Sequence, residues 1–218
     1  MRAILWDLDG VIVDSGEYHL ASYRWLLGQR GVELSSEYYY SKLFGRRNWD
    51  ILQDVLGPLS EAAVHALAEQ KEAKFRELAR GHIAALPGAV PLLRRAHEAG
   101  FRQSIVSSTP RANIDMIVDT LGVGAYLDAM VGEEDSERGK PDPQPFTTAA
   151  DRLGVPYARC VVIEDAPEGI EAGKAAGMRT IGVATTRPPE RLAATGADLV
   201  VASLEDARVW GFVSGPLS

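Results

Sequence analysis

The sequence predicts an α/β protein: a doubly wound parallel sheet with a small all-helical subdomain inserted into it. Three observations lead to this prediction. Short apolar runs alternate with helix-like segments from about residue 87 onward, and one further apolar run, Ala3-Ile4-Leu5-Trp6, lies near the start of the chain. The stretch from residue 16 to about residue 84 contains helical segments but no convincing strand. Strands that alternate with helices form βαβ units, and these units build a parallel sheet.

Six apolar runs are predicted as the strands of this sheet. Each segment contains a short apolar run, as expected of a buried strand. Together they predict a Rossmann-like core. The runs are AILWDLD (3–9), RQSIVSS (102–108), DAMVGEE (128–134), CVVIEDA (160–166), RTIGVAT (179–185) and DLVVASL (198–204).

Helices are predicted between these strands. Glycine follows several of them closely, as expected just past the C-terminus of a helix. The helical segments are 89–99, 110–121, 143–153, 167–176 and 188–194, and the glycines are Gly100, Gly122, Gly154, Gly177 and Gly196.

The inserted segment is predicted to be a helical cap subdomain. Its last helix has Ser60 in the N-cap position and ends at Gly81. The stretch LPGA (86–89) marks the return to the sheet. We therefore predict a core of residues 1–15 and 85–218 and a cap of residues 16–84. The cap helices are predicted at 16–29, 35–42, 47–56 and 60–80.

The composition predicts a soluble globular protein of the cytoplasm. The 218 residues are 46% hydrophobic and 24% charged, which is ordinary for a domain with a sizeable core. The formal net charge of −7 argues against a nucleic-acid partner, because such partners need basic faces. The single cysteine, Cys160, permits no internal disulfide and fits a reducing compartment.

No targeting or membrane segment is expected. Met1 leads almost directly into the first strand, which leaves no room for a signal peptide. No apolar stretch approaches the ~18 residues that a membrane-spanning helix needs. We therefore expect no membrane partner, and no feature of the sequence indicates an obligate protein partner.

Two carboxylates, Asp7 and Asp9, follow the first predicted strand. A buried charge is costly unless it is paired or bound to a metal. Open parallel sheets bind ligands beyond the carboxyl ends of their strands. The same edge is expected to carry further polar residues, namely Ser107, Ser108, Thr109, Lys140, Glu164 and Asp165.

This set of residues suits the binding of a phosphate and a hard cation. Carboxylates are the ligands that Mg2+ prefers, and lysine and hydroxyl groups suit phosphate oxygens. Each feature also has a structural explanation. The pair Asp9-Gly10 could form a turn, Lys140 could lie in a solvated loop, and Glu164 and Asp165 could cap the following helix. Their joint occurrence at strand ends of one sheet favours a functional site.

Four segments resemble the motifs of the haloacid dehalogenase superfamily, in order and spacing. They are DLDGVIVDS (7–15), the hydroxyl that ends SIVSS (104–108), GKPDP (139–143) and VIEDAPEGIEAGKAAG (162–177). The helical segment after the first motif resembles the small cap of β-phosphoglucomutase-like phosphatases. The resemblance spans essentially the whole chain.

The resemblance implies the roles of the acidic residues. Asp7 would be the nucleophile that forms an aspartyl-phosphate. Asp9 would act as a general acid towards the leaving oxygen and then as the base that activates water. Mg2+ would be bound by the Asp7 carboxylate, the Asp9 main-chain carbonyl and Asp165, with Glu164 beside them.

The resemblance also implies how the phosphoryl group is held. Ser107 and Lys140 would bind it, with Ser108 adjacent. A carboxylate that attacks a phosphate dianion is repelled by it, so Mg2+ and Lys140 would have to offset that repulsion. The predicted activity is therefore Mg2+-dependent hydrolysis of a small phosphorylated metabolite, with a sugar phosphate as the default substrate class.

Other members of the superfamily are disfavoured to different degrees. Dehalogenases and phosphonoacetaldehyde hydrolases lack an acid at the position of Asp9. The closest alternative is a β-phosphoglucomutase, whose cap loop typically carries a lysine before the glycine and an arginine shortly after it. Here Phe44 precedes Gly45, and Pro110-Arg111 stand where the mutase carries a lysine after the second motif. These departures favour a phosphatase.

Two alternative functions do not involve the hydrolysis of a phosphate ester by an enzyme. A receiver-type signalling domain also combines aspartates, Mg2+, a hydroxyl and a lysine on a parallel sheet. Such a domain is shorter, has no cap and carries its acceptor aspartate in a later strand. A catalytically silent binding module is disfavoured because every chemical position of the motifs is filled.

Four residues of the cap are candidates for substrate contact. His19 lies in a segment that lines the site in relatives, although an ordinary histidine on a helix face explains it equally well. Gly45, Arg46 and Arg47 belong to the cap loop, and solvated surface is the alternative explanation for the two arginines.

Overall fold

The computed structural model describes residues 1–215. The chain divides into two compact units. One consists of Met1–Asp14 and the chain from Ala84 onward, and the other is Ser15–Ile83. The first contains all the strands, so we call it the core unit. The second contains helices only, and we call it the helical unit.

The core unit is built on a six-stranded sheet in which every strand pair is parallel. The order of the strands is β3-β2-β1-β4-β5-β6. This order changes direction between β1 and β4, as in a doubly wound fold. The strands are β1 (Ala3–Trp6), β2 (Arg102–Val106), β3 (Ala129–Val131), β4 (Cys160–Glu164), β5 (Arg179–Val183) and β6 (Leu199–Val201).

The helices follow the sequence pattern closely. Helices α1 to α4 belong to the helical unit, and α5 to α10 belong to the core unit. No helix in residues 1–215 combines the length and the apolar character that crossing a membrane requires. The helices are α1 (Gly16–Gly28), α2 (Ser36–Tyr38), α3 (Asn48–Leu56), α4 (Glu61–Ala79), α5 (Ala89–Glu98), α6 (Arg111–Leu121), α7 (Gln144–Leu153), α8 (Pro167–Ala175), α9 (Pro189–Ala194) and α10 (Ala207–Ser214).

The central strands β1 and β4 are buried along their whole length. A strand that is apolar on both faces is expected where helices cover both faces of a parallel sheet. Trp6 is fully buried, and its indole N–H donates a hydrogen bond to Gln103 Oε1 at 3.1 Å. The sheet is therefore a rigid base for the loops that follow its strands.

The helical unit has an apolar core of its own. Helix α4 packs against α1 and α3, and the buried side chains include Leu20, Leu27 and Leu52. Ser60 caps α4, because its hydroxyl accepts the N–H of Ala63 at 3.3 Å.

Two parts of the fold differ from the prediction. The segment predicted as one helix at 35–42 is the short α2 followed by a π-helical turn at Tyr39–Leu43, in which the N–H of Phe44 donates to the carbonyl of Tyr39 at 2.9 Å. Helix α10 was not predicted at all. It is eight residues long and contains glycine and two valines, so its local helix preference is weak.

Contacts with the rest of the core unit stabilise α10. Arg2, which precedes β1, donates from Nη1 to the carbonyl oxygens of Gly215 at 2.7 Å and Ser214 at 3.0 Å. Arg179, the first residue of β5, donates to the carbonyl of Phe212 at 3.1 Å. Cations are favourable at a helix C-terminus, where carbonyl groups lack partners.

Candidate active site

The carboxyl ends of three neighbouring strands carry the polar residues predicted for the site. Asp7 follows β1, Ser107 follows β2, and Glu164 is the last residue of β4. Because β1 lies between β2 and β4, these residues lie along one edge of the sheet. The strand order changes direction at this point, which is where open α/β sheets bind ligands.

Three buried carboxylates lie at the centre of this edge. Asp7, Glu164 and Asp165 are 7%, 1% and 4% exposed, and a carboxylate oxygen of each lies within 4.8 Å of the others. Burial, followed by repulsion from Glu164, raises the pKa of Asp165 to about 7. Burial also raises the pKa of Asp7 well above its ordinary value, despite the attraction of Lys140. We call these three residues the acidic cluster.

Lys140 is the cation that contacts this cluster. Its Nζ donates to Asp7 Oδ1 at 2.6 Å, to Glu164 Oε1 at 2.5 Å and to the carbonyl oxygen of Val106 at 3.1 Å. Burial by itself lowers the pKa of Lys140, but the attraction of Asp7 and Glu164 outweighs burial and raises it above the ordinary value. Lys140 therefore stays protonated and is held beside the predicted nucleophile.

The acidic cluster fits a divalent cation. Lys140 donates to two of the three buried carboxylates, and the burial and mutual repulsion that raise the pKa of Asp7 and Asp165 favour a cation between them. Carboxylate oxygens are the ligands that Mg2+ takes in proteins. Asp7, Glu164 and Asp165 are thus the side chains that could hold the ion. The Asp9 side chain is not part of the cluster, and the carbonyl coordination predicted for Asp9 remains a prediction.

Glu164 also has a role besides the metal coordination predicted for it. Its Oε2 accepts the N–H groups of Asp165 at 3.0 Å and of Ala166 at 3.1 Å, while Oε1 accepts from Lys140. A Cβ atom at Gly169 would lie only 1.9 Å from Oε1. Only glycine therefore leaves space for the carboxylate of Glu164 against helix α8.

Asp9 lies in the turn that follows β1. Its Oδ2 accepts a long hydrogen bond, 3.4 Å, from the hydroxyl of Ser107. The next residue, Gly10, has φ of 86°, and its N–H donates to the carbonyl of Val13 at 2.8 Å. A turn with positive φ favours glycine at the position directly after Asp9.

The segment after β2 combines hydroxyl groups with the start of helix α6. The N–H of Thr109 donates to Ser107 Oγ at 3.2 Å, and Asn113 Nδ2 donates to Thr109 Oγ1 at 2.9 Å. Ser108 lies between Ser107 and Thr109 and is half-buried. Hydroxyls next to a helix N-terminus are suited to an anion such as phosphate.

Two residues at the same edge were missed by the sequence analysis. After β5, the hydroxyl of Thr185 donates to the carbonyl oxygen of Gly10 at 2.5 Å, and the hydroxyl of Thr186 donates to Asp165 Oδ2. The criterion that selected Ser107, a hydroxyl just past a predicted strand, would have found them.

The candidate residues of the helical unit lie in two places. His19 is buried on α1, where its Nδ1 lies 2.6 Å from Lys71 Nζ and its ring stacks on Phe75 at 3.9 Å. Gly45, Arg46 and Arg47 precede α3, and Arg46 forms an ion pair with Asp54 at 2.7 Å. Substrate contact by these four residues remains a prediction.

Comparisons with known proteins identify the family. A family model for haloacid dehalogenase-like hydrolases matches residues 1–177. Validoxylamine A 7'-phosphate phosphatase from Streptomyces hygroscopicus subsp. limoneus is 30% identical over 207 residues, 95% of this chain and 96% of the relative. The beta-phosphoglucomutase of Bacillus subtilis (strain 168) is 31% identical over 214 residues, 94% of this chain and 91% of the relative.

A solved structure gives the same result for the fold. The crystal structure of beta-phosphoglucomutase from Clostridium difficile aligns with a TM-score of 0.84 at 28% identity, covering 95% of this chain and 93% of that chain. The motifs, the sheet topology and the family match thus agree over most of the chain. The protein belongs to the haloacid dehalogenase-like hydrolases.

Proposed function

We propose that this hydrolase is a Mg2+-dependent phosphatase that hydrolyses a small phosphorylated metabolite, with a sugar phosphate as the substrate class, through an aspartyl-phosphate on Asp7. One observation carries the proposal: Asp7 lies at the switch point of the sheet, bound to Lys140 and next to two further carboxylates, with a second acid at Asp9. This arrangement provides a nucleophile, a cation to offset charge and a separate proton donor.

Asp7 would act first. A carboxylate oxygen forms a bond to phosphorus while the bond from phosphorus to the ester oxygen breaks. Asp9, in its protonated form, transfers its proton to the departing oxygen, so the product leaves as an alcohol. The covalent intermediate divides one difficult displacement into two easier ones.

Asp9 would act again in the second step. Its carboxylate accepts a proton from a water molecule as the water oxygen attacks phosphorus. The bond from phosphorus to Asp7 then breaks, which releases inorganic phosphate and restores both carboxyl groups. The hydrogen bond from the Ser107 hydroxyl to Asp9 Oδ2 supports this assignment, because it places the Asp9 carboxylate beside a residue predicted to hold the phosphoryl group.

Lys140, Ser107 and the start of α6 would hold the phosphoryl group during both steps. Lys140 is fixed by Asp7 and Glu164, so its positive charge is in place before substrate arrives. Preorganised charge of this kind stabilises a transition state without a cost of reorganisation. When bound at the acidic cluster, Mg2+ would supply further positive charge opposite the phosphoryl oxygens.

A phosphosugar mutase is the second candidate function, and the beta-phosphoglucomutase relatives favour it. Phe44 before Gly45 and Pro110-Arg111 after the second motif favour the phosphatase. We propose a reducing, cytoplasmic location, because the single cysteine, Cys160, permits no internal disulfide.

A panel of phosphorylated metabolites tests the proposal. We expect the protein with Mg2+ to release inorganic phosphate from at least one sugar phosphate over many turnovers, and Asp9→Asn to lose that release. Interconversion of hexose 1- and 6-phosphates faster than phosphate release would support the mutase instead. A single stoichiometric phosphorylation without turnover would contradict both enzymes.

A further inference from the structure

The loop after β5 connects two segments of the candidate active site. Thr185 and Thr186 lie just beyond the end of β5 at Val183. Strand β5 pairs with β4, and Gly182 is the register partner of Glu164. The loop after β5 therefore lies beside the loop that carries Asp165.

The first connection is made by Thr185. Its hydroxyl donates to the carbonyl oxygen of Gly10 at 2.5 Å, and its N–H donates to the carbonyl of Val183 at 2.9 Å. Gly10 belongs to the turn that contains Asp9. Thr185 thus fixes the backbone of that turn relative to the end of β5.

The second connection is made by Thr186. Its hydroxyl donates to Oδ2 of Asp165, a carboxylate that is 4% exposed. The hydrogen bonds of Lys140 go to the other two members of the acidic cluster, Asp7 and Glu164. A hydroxyl donor to Asp165 therefore complements Lys140, because a buried carboxylate needs a donor to fix its orientation.

The space around Asp165 leaves its carboxylate little freedom. A Cβ atom at Gly10 would lie 2.2 Å from Asp165 Oδ2 and 3.0 Å from Thr186 Cγ2. Asp165 Oδ2 and the methyl group of Thr186 thus both pack against the backbone of the turn at Gly10.

We infer that Thr186 is a positioning residue, whose hydroxyl orients the Asp165 carboxylate for a divalent cation at the acidic cluster. The inference extends the proposed function. It depends on that proposal for the requirement for a divalent cation. Partners that orient metal ligands typically change metal affinity by about 10- to 100-fold when they are removed. Thr186 is not expected to touch the reacting atoms.

The test measures Mg2+ binding to the full chain without substrate, by calorimetry on protein freed of metal with EDTA. Thr186→Val keeps the shape of the side chain but removes the hydroxyl. Thr186→Ser keeps the hydroxyl. The matched control is Thr195→Val, because the hydroxyl of Thr195 donates to the carbonyl of Leu192 at 2.7 Å, at the end of α9.

We expect the Kd for Mg2+ to rise about 10-fold or more in Thr186→Val. The Kd of Thr186→Ser should stay within about threefold of that of the unaltered protein. The Kd of Thr195→Val should equal that of the unaltered protein. The Mg2+ concentration that half-activates phosphate release should rise in parallel in Thr186→Val, while kcat at saturating Mg2+ changes much less. Thermal melting without metal establishes that each variant is folded, and if Thr186→Val does not fold, the comparison is made with Thr186→Ala.

Two results would overturn the inference. Unchanged Mg2+ affinity in Thr186→Val would show that the hydroxyl does not orient Asp165 for the metal. Equal losses in Thr186→Ser and Thr186→Val would show that the hydroxyl is not the group that matters. If instead the proposed function is wrong, the unaltered protein will bind Mg2+ but release no phosphate from any metabolite. This result differs from both results above.

Discussion

Replacement of Gly169 by alanine tests whether the position of Glu164 supports both stability and catalysis. Gly169 lies in the first turn of α8, and its backbone φ is not in the left-handed region, so alanine suits its conformation. By helix preference alone, Gly169→Ala should stabilise the protein by roughly 0.5–1 kcal/mol. The contact with Glu164 opposes this gain.

The structure allows the opposing effect to be estimated. The new Cβ would lie 1.9 Å from Glu164 Oε1 and 2.0 Å from Cδ, so the carboxylate must move. Its movement would disrupt the buried ion pair with Lys140, and breaking such a pair costs about 3–5 kcal/mol. After subtraction of the gain in helix preference, we expect a net loss of about 2–4 kcal/mol in the free energy of unfolding.

Activity should fall as well. Lys140 bridges Glu164 and Asp7, so a displaced Glu164 changes the position of the ammonium group beside the nucleophile. A misplacement of about 1 Å in a catalytic group can cost about 100-fold in rate. Urea denaturation and kcat/KM with an aryl phosphate measure the two effects. Gly211→Ala in α10 is the matched control, because a Cβ there meets nothing within 4 Å. If Gly169→Ala is as stable and as active as Gly211→Ala, the argument about Glu164 is wrong.

Three further predictions follow from the acidic cluster. Asp7→Asn should leave the circular dichroism spectrum unchanged and lower turnover by several orders of magnitude, because an amide is a poor nucleophile; activity within tenfold of the unaltered protein would contradict the assignment. EDTA should abolish turnover, and Mg2+ should restore it better than Ca2+, which takes longer bonds and more ligands; full activity in EDTA would refute the metal site. In EDTA the contribution of Asp165 to stability should fall as the pH rises from about 4 to about 7. The pKa of Asp165 in the folded state is raised to about 7, so the folded state binds the proton more tightly than the unfolded state over this range. Urea denaturation across this range should show a smaller decrease in Asp165→Asn, and an equal decrease in both proteins would contradict the raised pKa.

The sequence predicted the sheet well because the same physical pattern was repeated. Each strand of the core contains a short apolar run, and the positions of Asp7, Ser107 and Glu164 at strand ends follow from parallel strand direction alone. The proximity of residues that are far apart in sequence could therefore be predicted from strand direction, without predicting any side-chain contact.

The roles of the features that were missed depend on contacts that no local pattern encodes. Helix α10 has weak helix preference, and its C-terminus is stabilised by arginines from positions 2 and 179. In the sequence, Thr186 is only a polar residue after a predicted strand. Its hydrogen bond to Asp165 depends on the pairing of β5 with β4. The role of Gly169 likewise requires the carboxylate of Glu164 to be in place.

The hydrogen bonds from Arg2 to the end of α10 have a practical consequence for engineering. They bring the start of β1 next to Gly215, at the amino ends of the strands, whereas Asp7 and Glu164 lie at the carboxyl ends. The start of β1 and the end of α10 therefore lie across the full length of the strands from the reacting groups. A circular permutant that links Gly215 to Arg2 and opens the exposed turn at Gly122 should keep the acidic cluster assembled.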